Sequence, residues 1–462
     1  MKRFSLNFLI IALVALFIAC KAQKTATTAR TRSRVDTVRL RIPNYPLKTE
    51  KDLDVLMAQI GDARVVLLGE ASHGTHEYYM WRAALSKRLI QEKGFNFIAV
   101  EGEWADSYRV NQFIKGKKQD STAVVELLKQ YNRWPTWMWS NYEIASLVSW
   151  LNAYNQNKPD SAKAGFFGLD VYCLWESMTE LMPYLENTNA SIQQVAQKAH
   201  KCFQPYSADA YQYASAVATA EADCHNVTNR LWQSIKKITG DKPPANEAQF
   251  VMQQNALVAL NGENYYRTMV SNNAESWNIR DRHMALTLRR LLDLHGPASK
   301  AIVWEHNTHV GDARYTDMAK DGMVNVGELV RKEYGANNVF IIGFGSYTGS
   351  VIAAAEWGKP IQRMEVPPAI NGSWEHLLHA LSPADKIILS SELRDIALLN
   401  RSIGHRAIGV VYNPHMEQLG NYVPSVLPKR YDAFVYLDKT TALHPIGVTV
   451  TDEPPDTYPW GY

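Results

Sequence analysis

Acid–base side chains follow several apolar runs of this sequence, at points where strands are expected to end. Glu70 and His73 follow one run in LLGEASHG, and Glu101 follows another in FIAVEGE. His306 and His309 follow a third run in AIVWEHNTHVGD. Near neutral pH a histidine can take a proton from water, and a neighbouring carboxylate can orient its ring and stabilise its charged form. The residue types therefore indicate hydrolysis by a water molecule that a histidine activates.

Two other interpretations of the same residues stay open. The first is a zinc or manganese site, whose ligands would be His306, His309, Glu70, His73 and Asp312. The His-x-x-His spacing lacks the H-E-x-x-H form on a helix, so the metal-free interpretation is preferred. In the second, each histidine is a buried hydrogen-bonding group without a catalytic role. No G-x-S-x-G motif occurs, so acid–base chemistry is favoured over a serine nucleophile.

Alternating strands and helices are needed to bring these residues together. Runs rich in Val, Ile and Phe predict buried strands in RVVLLGE, NFIAVEGE, AGFFGLD, KAIVWEHN, NVFIIGFG, KIILSSE, RAIGVVYN and DAFVYLD. Helical patterns separate many of them, such as HEYYMWRAALSKRLIQEKGF, which we expect to end near Gly94. This alternation predicts an α/β fold with a mainly parallel sheet flanked by helices. Ligands of such sheets bind outside the carboxyl ends of the strands, where the acid–base residues are expected.

The middle of the chain lacks strand signals, and its patterns are helical. We expect a helical insertion at about residues 178–290 that forms part of an active-site cleft. The alternative is one more layer on the core. Within this block, Cys202 and Cys224 could pair across a helical hairpin and leave Cys173 free, while three buried free thiols are the alternative.

The N-terminus has the pattern of an export signal. Residues 1–19 combine a basic start with an apolar stretch that is too short to span a membrane comfortably. The segment FIAC resembles the lipobox of bacterial lipoproteins, which implies cleavage before Cys20 and lipidation of its thiol. Residues 20–38 are polar and predict a flexible tether. We therefore expect an exported lipoprotein of the cell envelope, held to the membrane at Cys20; a plain secretory signal or an uncut anchor is the alternative.

Composition favours a large globular protein with a small-molecule ligand. The chain has 462 residues, 46% of them hydrophobic, which is enough for one large domain or two ordinary ones. Its net charge is only +3, and no block of Lys and Arg suggests nucleic-acid binding. The 13 Trp and 23 Tyr residues can fill a core and also line a cleft for a bulky, partly apolar ligand.

Six longer motifs resemble those of the erythromycin esterase family: LLGEASHGTHEYYMWR, AVEGEWADSYRVNQFI, PTWMWSNYEIASLVSWLNAYN, GFFGLDVY, NAESWNIRDRHMA and WEHNTHVGDAR. The resemblance covers nearly all of the chain after about Arg39, so residues 39–462 are expected to form one catalytic domain. It implies an α/β core with a helical lobe and a deep cleft. It also implies cofactor-free hydrolysis of the macrolactone ester of fourteen-membered macrolides such as erythromycin, with water as co-substrate and macrolide resistance as the result.

The resemblance also implies roles for single residues. His73 falls on the general base of the family. The other catalytic positions are Glu70, Glu101, His306, His309, Arg82 and Arg280, and no metal ligand is implied. Substrate-binding positions are Trp104, Asp106, Trp137 and Asp312.

Simpler roles remain possible for several of these residues. Arg82 could pair with a glutamate of its own helix, and Arg280 could form a salt bridge near Asp281. Trp137 could belong to the core, and Asp106 could cap a helix. The substrate also stays open, because the lid of a shared fold sets the shape of the pocket. The alternative function is hydrolysis of another ester, such as an acyl group of the envelope or of a polysaccharide.

Overall fold

The structure is a computed structural model that describes residues 41–448 except 187, 208, 241–243 and 245. The predicted signal peptide and the whole of the expected tether, including Cys20, lie outside the described residues, so the lipid anchor stays a prediction. Among the described residues, no helix has both the length and the hydropathy that a membrane crossing needs.

Within the described chain, nine strands form one mixed sheet, and two more form a separate ribbon. The strands are β1 (Tyr45–Pro46), β2 (Val65–Leu68), β3 (Phe97–Glu103), β4 (Gly165–Asp170), β5 (Ala301–Trp304), β6 (Val339–Ala354), β7 (Ile361–Val366), β8 (Lys386–Leu389), β9 (Ile403–Arg406), β10 (Tyr422–Ser425) and β11 (Ala433–Thr440). The sheet order is β1-β8-β11-β6-β2-β5-β3-β4, with β7 antiparallel to β6. Strands β9 and β10 form the antiparallel ribbon.

The strands from β11 to β4 in this order are parallel, and this arrangement positions the site. The VVLL run of β2 and the AIVW run of β5 are fully buried. A parallel strand is apolar on both sides because helices cover both faces of its sheet. The predicted α/β class with a mainly parallel sheet is confirmed. Since the strands are parallel, the segments that follow Leu68, Glu103, Asp170 and Trp304 leave the sheet at the same edge.

Helices flank the sheet and connect its strands. They are α1 (Asp54–Ile60), α2 (His76–Lys93), α3 (Trp104–Lys115), α4 (Ser121–Leu128), α5 (Tyr142–Asn155), α6 (Leu174–Leu185), α7 (Ala190–Phe203), α8 (Ala210–Ala218), α9 (His225–Thr239), α10 (Glu247–Met269), α11 (Asn273–His295), α12 (Asn307–Val310), α13 (Val326–Tyr334), α14 (Trp374–Leu381), α15 (Glu417–Gly420) and α16 (Leu427–Arg430). Helix α2 ends as expected at Gly94, which has the left-handed φ of 67°.

Helices α6 to α11 form the helical insertion, which runs from Leu174 to His295 and is slightly longer than the sequence indicated. Its apolar side chains pack into a core of their own, which includes Met178, Leu231 and Ala259. This core is distinct from the main cluster around the sheet. Helices α6 to α10 therefore form a lobe with its own interior, whereas α11 packs between α10 and strand β4 of the sheet.

The lobe contains a disulfide bond between Cys202, in the last turn of α7, and Cys224, which precedes α9. Cys173 is free and buried. The pairing considered from the sequence is thus present, and the bond encloses α8 rather than a simple hairpin of two helices. The closed loop spans a sequence separation of 22 residues.

One predicted strand is wrong. The run RAIGVVYN, residues 406–413, forms only isolated bridges after β9 ends at Arg406. Ile408 N–H donates to Ala71 O at 2.7 Å, whereas Tyr412 N–H donates to Ala354 O at 3.0 Å. One end of this apolar run thus pairs with the loop after β2, and the other end pairs with the end of β6. The run is a connection between these two segments. Apolar periodicity cannot distinguish such a buried connection from a buried strand.

We predict that removing the disulfide bond with Cys202→Ala and Cys224→Ala lowers the free energy of unfolding by about 2–4 kcal/mol, because the unfolded chain regains the entropy of an open loop. Urea unfolding of the oxidised and reduced protein measures this loss. The double variant serves as the control, since reductant must leave its midpoint unchanged. Equal midpoints for oxidised and reduced wild-type protein would contradict the prediction.

Candidate functional site

The loop that leaves β2 carries Glu70 and His73 to the edge of the sheet. Its backbone is fixed where it starts, because Gly69 N–H donates to Ile342 O at 2.8 Å. Glu70 O accepts a hydrogen bond of 2.8 Å from the backbone N–H of Asn307, at the start of α12. The segments that follow β2 and β5 are thus joined directly, and their acid–base residues share one edge as the sequence predicted.

Two glycines allow the close approach of this loop to its neighbours. A Cβ atom at Gly69 would lie 2.1 Å from Asn307 Oδ1, and one at Gly74 would lie 2.0 Å from Ile352 O. Gly74 O also accepts hydrogen bonds of 2.9 Å from the backbone N–H groups of Ile352 and Leu443. The loop therefore has little freedom, and His73 is held in a fixed position.

His73, Glu70 and Arg82 form a buried chain of charge-assisted hydrogen bonds. His73 Nδ1 lies 2.9 Å from Glu70 Oε1, and Arg82 donates to Glu70 Oε2. Because the Arg82-bound carboxylate acts as the acceptor, we assign the Nδ1 proton to His73, and Nε2 remains as the basic nitrogen. Arg82 is fully buried, with its guanidinium 4.4 Å from the Tyr79 ring centroid and 4.6 Å from that of Trp304. Arg82 therefore orients Glu70 from behind and pairs with no glutamate of its own helix.

A second charged cluster surrounds Arg280, which comes from α11 of the insertion. Its Nη2 donates to Glu101 Oε1 at 2.7 Å and to Asp170 Oδ2 at 2.6 Å. Its Nη1 lies 2.9 Å from His309 Nε2. Burial alone would raise the pKa of Glu101, but the charges of His309 and Arg280 outweigh it and hold that pKa well below its usual range. Glu101 is thus a carboxylate at neutral pH.

Carboxylates lie on both sides of the His309 ring. Nδ1 lies 3.0 Å from both oxygens of Asp281, and Nε2 lies 3.3 Å from Glu101 Oε1. Burial lowers the pKa of His309, but Asp281 and Glu101 overcome this effect and raise it to about 10. The ring also stacks on Trp277 at a centroid distance of 4.4 Å. The carboxylates thus favour the protonated ring, whereas the Arg280 guanidinium, which can only donate, favours Nε2 as its acceptor.

His306 has the opposite electrostatic environment. Its backbone N–H donates to Glu101 Oε2 at 2.7 Å, and its Nδ1 lies 2.8 Å from Thr308 Oγ1. Burial and the neighbouring His73 lower the pKa of His306 well below its usual range. The rings of His306 and His73 are 4.9 Å apart, and the buried Nε2 of His306 makes no hydrogen bond of normal geometry. His306 is therefore neutral and lies beside the candidate base.

These residues border a cleft of about 120 Å³ at the sheet edge. It is lined by His73, Glu101, Gly102, Glu103, Pro135, Met138, Trp139, Asp170, Tyr172, Arg280, Trp357 and Val410. Three of the predicted catalytic residues, His73, Glu101 and Arg280, are thus in its wall. Trp357 is 56% exposed, and its ring centroid lies 4.4 Å from that of Trp134. Aromatic rings therefore lie at the rim of the cleft.

Glu103 also lines the cleft, although the sequence analysis does not assign it a role. Burial raises the pKa of Glu103 to about 8; Asp106 adds to the rise, and Arg133, 3.7 Å away, opposes it. Its carboxyl group is therefore mostly protonated at neutral pH. The signal that could have identified it is its alternation with Glu101 in VEGE, which places two carboxyl groups at the end of one strand.

Two further acids near the site were not predicted. Asp281 orients His309. It directly follows Arg280 on α11, and the residue pattern of this helix did not indicate that the two neighbours have different roles. Glu305 is buried, and neither of its carboxylate oxygens has a hydrogen-bond partner. Burial raises the pKa of Glu305 well above its usual range, with Glu101 and Asp281 adding to the effect. Glu305 is therefore a neutral acid beneath the charged cluster.

The four residues predicted to bind substrate lie outside the cleft lining. Trp104 is buried and donates to Asn255 Oδ1 at 3.1 Å. Trp137 is buried in the main core, so the core interpretation holds for it. Asp106 pairs with Arg109 of its own helix. Asp312 is fully buried and pairs with Arg314 and Arg331.

The residues considered from the sequence as metal ligands do not converge on one point. Both ring nitrogens of His309 face charged partners, and the guanidinium of Arg280 beside Nε2 would repel a cation. Asp312 is held by two arginines, and the Nδ1 atom of His73 is bonded to Glu70. The arrangement instead fits acid–base chemistry, with a base at His73 and fixed positive charge at Arg280.

Comparisons with known proteins identify the family and the fold of the chain. A model of the Erythromycin esterase family matches residues 90–440 of the chain. The chain is 31% identical over 128 residues to erythromycin esterase type II of Escherichia coli, a stretch that spans 28% of each protein. A solved succinoglycan biosynthesis protein has a TM-score of 0.70 at 20% identity, covering 87% of this chain and 95% of that one. A mutant of the erythromycin esterase EreC in its open conformation has a TM-score of 0.65 at 14% identity, covering 89% of this chain and 100% of that one.

We predict that Gly74→Ala displaces the loop that carries His73, because its Cβ would meet the backbone of Ile352. Such overpacking typically costs about 1–3 kcal/mol of stability. Thermal unfolding and turnover of a model ester measure the two effects. Gly409→Ala is the matched control, since no atom lies within 4 Å of the Cβ it would add. Equal stability and turnover of the two variants would show that the close contact is not required.

Proposed function

Because the chain belongs to the erythromycin esterase family, a family of hydrolases, we propose that it hydrolyses a carboxylic ester with a water molecule activated by His73. The observation that carries this proposal is the position of His73 in the cleft wall, with its Nδ1 fixed by the Glu70 carboxylate at 2.9 Å. A base oriented in this way can take a proton through Nε2 while Glu70 stabilises the imidazolium that forms. No covalent acyl intermediate is needed, because water is the nucleophile.

Arg280 is the group best suited to stabilise the oxyanion. Its guanidinium lines the cleft with His73, and it is preorganised by Glu101 and Asp170. A fixed donor of this kind stabilises charge that develops in the transition state without the cost of reorienting water. His309 and Arg280 together keep Glu101 ionised, and the ionised Glu101 in turn keeps Arg280 in position.

Glu103 is the group best suited to protonate the leaving alkoxide. It lines the same cleft as His73, and burial keeps its carboxyl group protonated near neutral pH. A carboxylic acid with a raised pKa next to an ionised one is a common way to separate acid and base roles in one site. The reaction then uses His73 to accept a proton from water and Glu103 to donate one to the alcohol.

Two substrate classes are consistent with this chemistry. The first is the macrolactone ester of fourteen-membered macrolides, whose hydrolysis would inactivate the antibiotic. It is supported by the family and by the similarity to an erythromycin esterase of Escherichia coli. The aromatic rim of Trp134 and Trp357 offers an apolar surface for a macrolide that extends out of the cleft.

The second class is an acyl ester on an envelope component or a polysaccharide. Its specific support is the size of the cleft, about 120 Å³, whereas sites that enclose drug-sized ligands typically measure about 300–1,000 Å³. A cleft of this size suits a small acyl group that projects from a larger molecule. The predicted export signal and the predicted lipidation of Cys20 support a location in the cell envelope, next to these substrates.

We predict that the full-length chain adds one water to erythromycin or releases acid from an acylated saccharide, and that His73→Ala lowers kcat by about 10²–10⁴-fold because the base is lost. Mass spectrometry follows the macrolide, and acid release follows the saccharide. His379→Ala is the control, since this partly exposed histidine pairs with Asp438 away from the cleft. Wild-type turnover by His73→Ala on the active substrate would exclude His73 as the base.

We predict a separate pH signature for Glu103. Its pKa is raised to about 8, so the acid is present below that pH and is lost as the pH rises through it. Turnover should therefore fall above about pH 8, and Glu103→Gln should lower kcat by about 10²–10⁴-fold and remove this part of the profile. A pH–kcat profile of both proteins on the same ester measures the difference. An unchanged alkaline limb in Glu103→Gln would assign that limb to another group.

A further inference from the structure

A second cluster of titratable side chains lies outside the cleft. His76 is the first residue of α2, Glu143 is the second residue of α5, and His444 lies in the segment that follows β11. Their donor atoms all lie within 4.8 Å of one another, and among the described residues they form a group suited in composition and spacing to hold a metal ion. None of the three lines the cleft, so this cluster is distinct from the site of hydrolysis.

The backbone holds these three side chains together before any ligand binds. His76 N–H donates to Thr441 O at 3.0 Å, and Tyr142 N–H donates to His444 O at 3.0 Å. Ile446 N–H donates in turn to Ser140 O at 2.9 Å. The segment around His444 is thus pinned to the starts of α2 and α5. A site built on fixed backbone loses little conformational entropy when it takes up a ligand.

The side-chain contacts in this cluster are unusual for a plain hydrogen-bond network. The Nδ1 atoms of His76 and His444 each lie 2.6 Å from the same oxygen, Glu143 Oε1. Glu143 is almost fully buried, whereas the side chains of the two histidines are 16% and 22% exposed. Burial raises the pKa of Glu143, but the hydrogen bonds from both histidines outweigh it and lower that pKa, so the group is a carboxylate. Two nitrogen ligands and one carboxylate therefore converge at a point that solvent can reach.

We propose that His76, Glu143 and His444 bind a divalent transition-metal ion, with zinc as the expected ion. Two imidazoles and one carboxylate are a ligand set that zinc accepts with tetrahedral geometry, and water can complete the fourth position from the exposed side. On binding, each neutral imidazole shifts its proton from Nδ1 to Nε2, and a charged ring releases one proton to solvent, so that Nδ1 coordinates the ion in place of its hydrogen bond to Glu143. The ligand distances widen from hydrogen-bond contacts to the edges of a coordination tetrahedron, which the two partly exposed imidazoles can accommodate by small rotations.

Binding of the ion would restrain the backbone, because the cluster connects the loop that carries His73 to residues 441–446. His76 lies three residues after His73, and Gly74 O between them accepts a hydrogen bond from Leu443 N–H at 2.9 Å. A bound ion would hold residues 441–446 against this loop and stabilise the position of His73. It would not act on the substrate, so its loss should affect stability and resistance to heat before it affects the rate of hydrolysis.

Metal titration of the full-length chain tests the proposal. The protein is first treated with a chelator and dialysed, and it is then titrated with Zn²⁺ by calorimetry and with Co²⁺ by visible absorption. We expect one saturable site, a Co²⁺ spectrum of low coordination number, and a higher melting temperature with Zn²⁺. Affinity should fall as the pH is lowered, because protons and the metal ion compete for the same ligand atoms.

Variants locate the site. His444→Gln and, independently, His76→Gln keep a side-chain N–H that can still donate to Glu143, so the fold is preserved while a metal ligand is lost. Each should weaken Zn²⁺ binding by more than the roughly 10- to 100-fold that loss of an outer-shell partner typically costs. His379→Gln is the matched control, because its Nδ1 also binds one carboxylate oxygen, that of Asp438 at 2.7 Å, without a third ligand.

Two outcomes would overturn the proposal. One is a folded, chelator-treated wild-type protein that shows no saturable binding of Zn²⁺ or Co²⁺. The other is binding with the same affinity in His444→Gln and in His379→Gln, which would place the ion elsewhere. The binding and melting measurements need no substrate, so they stand apart from the outcome of the ester assays.

Discussion

The guanidinium of Arg280 connects parts of the chain that are far apart in sequence. From helix α11 of the insertion it reaches Glu101 at the end of β3 and Asp170 at the end of β4, and it lies against His309 beyond β5. Buried charges are tolerated only when each has partners, and removing one partner typically costs about 3–5 kcal/mol. The insertion can therefore close on the sheet edge only in the arrangement that satisfies Arg280. This constraint fixes the position of Arg280, the residue that the insertion contributes to the lining of the cleft.

The protonation states of Glu101 and Glu103 depend on how close each carboxyl group lies to the positive charge of Arg280. Glu101 lies against Arg280 and His309, and its pKa is depressed in spite of burial. Glu103 lies two residues away on the same strand, close to Asp106 and farther from a cation, and its pKa is raised to about 8. Two carboxyl groups of one strand end are thus given opposite states by their neighbours alone. The sheet edge supplies both an ionised partner and a proton donor.

The sequence could predict the fold class, most of the strands and the location of the site, because apolar runs that end in acidic and histidine residues mark the carboxyl edge of a parallel sheet. It could not predict which residues behind that edge face the cleft. Trp104 and Trp137 have types suited to a ligand, but packing places both in the interior. Asp281 and the His76–Glu143–His444 cluster depend on contacts between segments that are up to 301 residues apart, which local pattern does not encode. The run at 406–413 failed as a strand for the same reason, since its partners are two different segments.

The pair formed by His73 and His306 limits how the site can distribute charge. Their rings are 4.9 Å apart, so a proton on one raises the cost of a proton on the other. Burial already favours the neutral form of His306, and its pKa is well below the usual range. When His73 takes a proton from water, His306 must therefore stay neutral and cannot stabilise an oxyanion as a cation. That task is left to Arg280, which is charged whatever the state of the two imidazoles. His73 thus accepts the proton, and Arg280 supplies the permanent positive charge. This division of roles suits the sheet edge to attack by water rather than by a protein nucleophile.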